Sequence, residues 1–223
     1  MSRTSLASLA VTACALVVAG CSGQTTPPES QGDIARLMDV KTNFGPEFKV
    51  STVAPTGIDP RLLASQPLPQ GVTFDPPDCG KAATGLALPA GLKGNMSAVT
   101  AEGAGNRFIA IAVETSEQVP FPDPGPDCQK VAFAGPGARG LVEVTESPAV
   151  DGAKTLGTHR FVQTMVNGKP ASGELYNYVA SFGSFLVIVT ANPLVVPNAP
   201  VQQVDTKRAR DLLAAAVNDV RGG

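Results

Sequence analysis

"GELYNYVASFGSFLVIVTANP", residues 173–193, is the stretch whose reading decides the fold. It holds two strand-like runs, "GELYNYVAS" (173–181) and "SFLVIVTA" (184–191), with only Phe182 and Gly183 between them. So short a connection cannot carry a crossover, and the two runs are expected to lie antiparallel. The second run does not alternate. Phe185, Val187 and Val189 fall on one side and Leu186 and Ile188 on the other, so both faces of this strand are apolar. "FIAIAV" (108–113) has the same character. A sheet built around such strands needs a cover on each side.

Working outward, the rest of the second half reads as further strands. "NMSAVTAE" and "RFIAIAVETS" flank "GAGN" (103–106) as a hairpin, and "GLVEVTE" and "TLGTHRFVQTMV" follow, with the Asn167-Gly168 turn leading back to residue 173. "GAGN" lacks the helix and the Lys-Ser/Thr pair of a phosphate loop and is read as a turn. At the end, "DTKRARDLLAAAVNDVRG" (205–222) sets Ala209, Leu212, Leu213, Ala216, Val217 and Val220 on one helical face, with Asp205 as N-cap. Near the front, "DIARLMDVKTNFGPEF" (33–48) begins with a capping Asp33 and places Ile34, Leu37, Met38 and Lys41 at helical spacing until Gly45 and Pro46 stop it. "FKVSTV" (48–53) reads as a half-exposed edge strand, and residues 54–77, thick with Pro and Gly, as a surface segment with one helical turn at 61–64. The expected fold is α+β: an antiparallel sheet of about five to seven strands with the N- and C-terminal helices on one face and one disulfide. The second face is expected to be covered by residues 54–77, by "NPLVVPNAPVQQV" (192–204), by a second subunit or by an apolar ligand, which makes Phe185, Leu186, Val187, Ile188 and Val189 a candidate ligand face.

The front of the chain is a targeting segment. Residues 1–20 carry Arg3, an apolar stretch from Leu6 to Val18 that contains Cys14, and small residues running into Cys21, too short a pattern to span a membrane as a mature helix. "VAGC" (18–21) reads as a bacterial lipobox, which makes Cys21 the lipidation site and the first residue of the exported chain. Two acyl chains suffice for stable anchoring where one does not. Polar "SGQTTPPESQ" (22–31) then serves as a tether, so that residues 21–32 link the membrane to a single domain at 33–223. The expected location is extracytoplasmic and lipid-anchored.

Two cysteines remain after processing, Cys79 in "PPDCGKAA" (76–83) and Cys128 in "GPDCQKVA" (125–132). A disulfide, a redox pair and a metal site are the three readings. Export and an even count favour the disulfide. One histidine in the chain and no C-x-x-C pair leave too few zinc ligands, so no metal is expected. Each "PDC" is read as a helix start with Asp78 or Asp127 as cap.

No catalytic residue is assigned. His159 is the sole histidine and alternates with Phe161 and Gln163 on one side of a strand, and no serine sits in a G-x-S-x-G elbow. Glu114 with Glu117, and Asp123 with Asp127, are carboxylates near turns with nothing to fix their separation, so a hydrolase is the minority reading. No nucleotide, flavin or haem motif appears, and no cofactor is expected. Charge is nearly balanced, with 17 Lys and Arg against 19 Asp and Glu, and without a basic run nucleic acid is not an expected partner.

With "DIARL", "FGPEF", "PTGIDPRLLA", "GVTFDPPDC" and "FLVIVTANP" in place, the chain resembles a mycobacterial cell-envelope lipoprotein family of uncharacterised function. More loosely, it is similar to the extracellular sensor domain of mycobacterial receptor serine/threonine kinases, which shares the order of helix, loop, antiparallel sheet and final helix. That sensor domain has two disulfides and a cavity for a ligand; of its cysteines only Cys79 and Cys128 have counterparts here. The resemblance implies a non-catalytic, membrane-anchored domain that binds a small apolar ligand or an envelope protein, with a lipid carrier as the alternative.

Overall fold

The computed structural model describes residues 32–222 except 60–62, 64–67, 69, 87, 90, 167 and 198. The signal segment, Cys21, most of the tether, Asn167 and most of the helical turn expected at 61–64 lie outside the described residues. Among the described residues nine strands form one antiparallel sheet: β1 (Lys49–Gly57), β2 (Thr73–Asp75), β3 (Gly94–Gly103), β4 (Asn106–Thr115), β5 (Lys130–Gly135), β6 (Ala138–Thr145), β7 (Lys154–Val166), β8 (Lys169–Phe182) and β9 (Phe185–Pro193). Their spatial order is β1-β3-β4-β9-β8-β7-β6-β5-β2. The fold class is as expected, with more strands than the five to seven anticipated.

Two helices close one face. The C-terminal helix, α2 (Thr206–Arg221), buries Ala209, Leu212, Leu213, Ala216, Val217 and Val220, and Asp205 caps it by accepting from the Arg208 amide. At the front, Ile34–Asn43 is a 3-10 helix, η1, capped by Asp33, which accepts from the Ala35 amide. Its buried residues are Ile34, Leu37 and Val40, three apart, because a helix of three residues per turn repeats its face at that interval. The stripe expected from α-helical spacing is therefore corrected: Met38 is only partly buried and Lys41 is exposed. Both helices pack on Val99, Ala101, Phe108, Ala110, Ala112, Val187 and Val189 in one apolar cluster.

Among the described residues no long helix covers the opposite face. Ile58, Leu86, Leu88, Leu92, Val119 and Phe121, from irregular chain, together with the helical Leu63, lie on Met96, Ala98, Ile111, Val113, Val179, Leu186 and Ile188. Further along this face, the short 3-10 helix Pro77–Cys79 and helix α1 (Gly80–Thr84) pack Cys79 and Ala83 onto Val131, Phe133 and Val142. The cysteines form the Cys79–Cys128 disulfide, with Cα atoms 5.4 Å apart. The caps expected at the two "PDC" sequences are corrected. Pro76 is the residue before the first short helix, and no side chain caps it. The second "PDC" opens no helix; it lies in a turn that runs into β5. The bridge thus ties a helical turn to the approach of a strand.

Candidate binding face

Register fixes which side chains share a surface. On β5 to β8, Lys130, Glu143, His159 and Tyr176 form one cross-strand row, and Ala132, Leu141, Phe161 and Glu174 form the next. A third row is Ala134, Arg139, Gln163 and Ser172. Because successive residues of a strand alternate faces, these rows continue the side that carries Tyr178, Ala180 and Phe182, which is the helical side. The apolar cluster beneath the helices stops at β8. Beyond it Lys130, Ala132, Ala134 and Ser172 are exposed, while Leu141, Phe161, His159 and Tyr176 are half-buried. Val131, Phe133 and Val142, on the reverse of the same strands, are buried under the disulfide-bound segment. Strands β5 and β6 are therefore closed on that side and open on the other, while β7 and β8 are half-buried on both.

Two glycines let aromatic rings lie flat across the strands here. Gly157 is paired with Tyr178 and Gly140 with Phe133, and a Cβ at either position would stand 3.0 Å or less from the partner's ring and from backbone oxygens. Glycine is required at both for close approach rather than for an unusual dihedral.

The polar centre of the open face is His159. Its Nδ1 lies 3.3 Å from Glu143 Oε1 and its Nε2 3.3 Å from Glu174 Oε2. The ring stacks on Tyr176, with centroids 4.3 Å apart and planes 13° from parallel. Lys130 Nζ lies 3.5 Å from the other Glu143 oxygen. The two carboxylates approach opposite edges of one ring and do not converge on a point where an ion could sit; among the described residues no group of three His, Cys, Asp or Glu is arranged to hold a metal. Burial, and then the Glu174 carboxylate, push the Tyr176 phenol above its ordinary pKa, with Tyr178 and Glu143 adding to the rise. Burial also pushes Tyr178 up, against the opposing effect of the Arg210 guanidinium. The Tyr178 hydroxyl is fully buried and has no hydrogen-bond partner among the described residues.

At the far end of the face the third row borders a groove of about 590 Å3, lined among others by Arg139, Gln163, Met165, Pro170 and Ser172. Arg139 Nε donates to Gln163 Oε1 at 2.8 Å across β6 and β7. Met165 and Val166, at the tip of the β7–β8 hairpin, are exposed. The face as a whole offers flat aromatic and aliphatic surface bordered by paired charges, a composition suited to holding a ligand or a chain segment.

The residues expected to form a ligand face are all buried. Phe185, Val187 and Val189 lie under the helices, and Leu186 and Ile188 under the irregular cover. Of the carboxylate pairs considered, Glu114 and Glu117 are exposed, and Asp123 accepts from the Gly125 amide in a turn. Among the described residues no helix is long and apolar enough to cross a membrane.

A family model described as a domain of unknown function (DUF5642) matches residues 33–221. Among solved structures, the chain is similar to the X-ray structure of an uncharacterized protein (Rv0999 ortholog) from Mycobacterium smegmatis, at 61% identity and a TM-score of 0.82, covering 87% of this chain and 98% of that one. It is also aligned with the extracellular domain of PknH from Mycobacterium tuberculosis, at 13% identity and a TM-score of 0.38, over 87% of this chain and 94% of that one. A likeness of that second degree carries no functional weight. No curated protein matches the chain.

Proposed function

We propose, given that the chain belongs to the DUF5642 family, that it is a non-catalytic envelope protein held at the membrane by acyl chains on Cys21 and that it recognises a ligand or protein partner with the open face of β5 to β8. The observation that carries this reading is the uncovered half of the sheet. Leu141, Phe161 and Tyr176 stand half-exposed there, whereas Val131, Phe133 and Val142 on the reverse of β5 and β6 are buried. Apolar and aromatic surface left in contact with water beside charged groups is what recognition sites present. The anchor is supported by "VAGC" and by the polar residues 22–31 that follow. With export, this gives an extracytoplasmic domain on a short leash.

A photo-crosslinking residue at position 161 of the full chain, expressed in a mycobacterial host, tests the reading. A discrete adduct is expected from position 161 and none from position 207, an exposed site on α2. Loss of the adduct on adding Leu141→Glu would tie it to the face. Absence of any adduct at 161 and at 141 would remove this face as the recognition surface.

A second reading is favoured by a different observation. Leu186 and Ile188 are covered mostly by irregular chain, which is more easily displaced than a helix, so a carrier of apolar molecules would load between this cover and the sheet. Native mass spectrometry of the purified protein is expected to show a bound lipid in that case, and the bare protein mass would retire the carrier reading.

A further inference from the structure

We infer that His159 is a proton-operated clasp joining β6, β7 and β8 across the open face. The clasp regulates the surface proposed above for recognition, yet its geometry stands whether or not that reading holds. Each ring nitrogen faces a carboxylate oxygen at 3.3 Å, Glu143 from β6 and Glu174 from β8. Ionised carboxylates only accept hydrogen bonds. The imidazolium has an N–H on both nitrogens and donates to both strands at once. The neutral ring has one N–H, so a bare nitrogen lone pair then faces a carboxylate and that contact opens.

The surrounding groups decide which contact opens. From β6 the ring meets Glu143, and behind it on β5 stands Lys130, whose ammonium is 3.5 Å from Glu143 Oε2. From β8 it meets Glu174 and the phenol of Tyr176. Towards α2 lie Tyr178 and the Arg210–Glu146 pair, at 3.5 Å. Arg160, next on β7, points to the other side of the sheet, where Nη2 donates to the Ala83 carbonyl at 2.6 Å. Glu143 thus keeps a cation when the ring releases it, whereas the His159 ring supplies the one hydrogen bond or ion pair of the Glu174 side chain among the described residues. The neutral ring keeps its proton on Nε2 for Glu174, and Glu143 turns to Lys130. Acid closes the clasp over three strands; as pH rises the β6–β7 link is lost and Glu143 is left to Lys130 alone.

His159 is the single histidine of the chain, so its ring signals in a 15N-labelled full chain in detergent are unambiguous. At about pH 5, where imidazole is commonly protonated, two ring N–H protons are expected, both exchanging with water at least about tenfold more slowly than in free histidine; at about pH 8 one is expected, on Nε2. An Nδ1–H ring at the higher pH, or free-histidine exchange at the lower, overturns the clasp. His159→Phe keeps a ring on Tyr176 without N–H groups. Amide exchange over 157–164 is expected to be about fivefold less protected in His159→Phe than in the parent at the lower pH and by a clearly smaller factor at the higher, where the parent keeps only the bond to Glu174. The same difference at both pH values, or none at either, counts against it. If His159→Phe does not fold, the ring measurement on the parent decides alone. A missing crosslink at position 161 with the ring result intact would sink the recognition reading and leave the clasp standing.

Discussion

Among the described residues the Tyr178 hydroxyl is buried with no partner at hydrogen-bonding geometry, although the Arg210 guanidinium is near enough to oppose the rise in its pKa. An unmade hydrogen bond is costly, so removing the hydroxyl should not destabilise as loss of a partnered group does. Tyr178→Phe is expected to leave stability unchanged or raise it by up to about 1 kcal/mol in urea denaturation, where loss of a partnered hydroxyl would cost about as much. A loss of that size would show that the hydroxyl is bonded after all. The two tyrosines of the chain also make a pH prediction, since burial raises both, Glu174 adds to the rise at Tyr176, and Arg210 opposes it at Tyr178. A phenol whose pKa is raised by folding favours the native state while it is neutral. That contribution is whole below the ordinary tyrosine range of about 10 and is lost as pH climbs through the folded value. Absorbance of the phenolate is therefore expected to appear later than in free tyrosine, and stability to fall as it does; titration coincident with free tyrosine would contradict the burial.

Among the elements, the disulfide joins the segment before α1 to the approach of β5, closing a loop whose cysteines are 49 residues apart. On the chain-entropy account such a bridge contributes roughly 4 kcal/mol, so Cys79→Ser with Cys128→Ser is expected to lower the denaturation midpoint by that equivalent, with β2, β5 and α1 losing amide protection first. Uniform loss across the sheet would mean the bridge holds no particular layer. The apolar face of α2 was legible residue by residue, because a 16-residue amphipathic helix states its period many times over. The N-terminal helix was legible in place but not in pitch: over ten residues, spacings of three and four overlap, and Val40 was missed for that reason. Strand β5 was hidden by its preface. Val131 and Phe133 alternate with Lys130 and Ala132, yet the repeated "PDC" pointed to a helix start there. The three-residue β2 shows too few turns of any period to be read alone. The open face was half visible, since His159, Phe161 and Gln163 alternate on one strand. Glu143 and Glu174 come from other strands, and only the register of β6 and β8 brings them to the ring.

At the scale of the whole molecule, layering is uneven. Loops and short helices back the sheet from β3 to β5, while the helical layer covers little more than half of the other side. The proposed anchor makes its own prediction. Cys21→Ser is expected to move the protein from the detergent phase to the aqueous phase in a partitioning assay, with the folded domain and its disulfide unchanged; retention in detergent would argue against acylation. The chain comes into the domain where Asp33 donates its backbone N–H to the Val220 carbonyl at 2.7 Å, and Arg36 lies against Gly222. Both ends of the domain thus meet at one pole. With the proposed anchor in place, a tug from the bilayer would fall on this junction and peel the first ten-residue coil from its bed before loading the ladder of strands. A protein so moored could be strained mechanically while its broad flat surface keeps its shape.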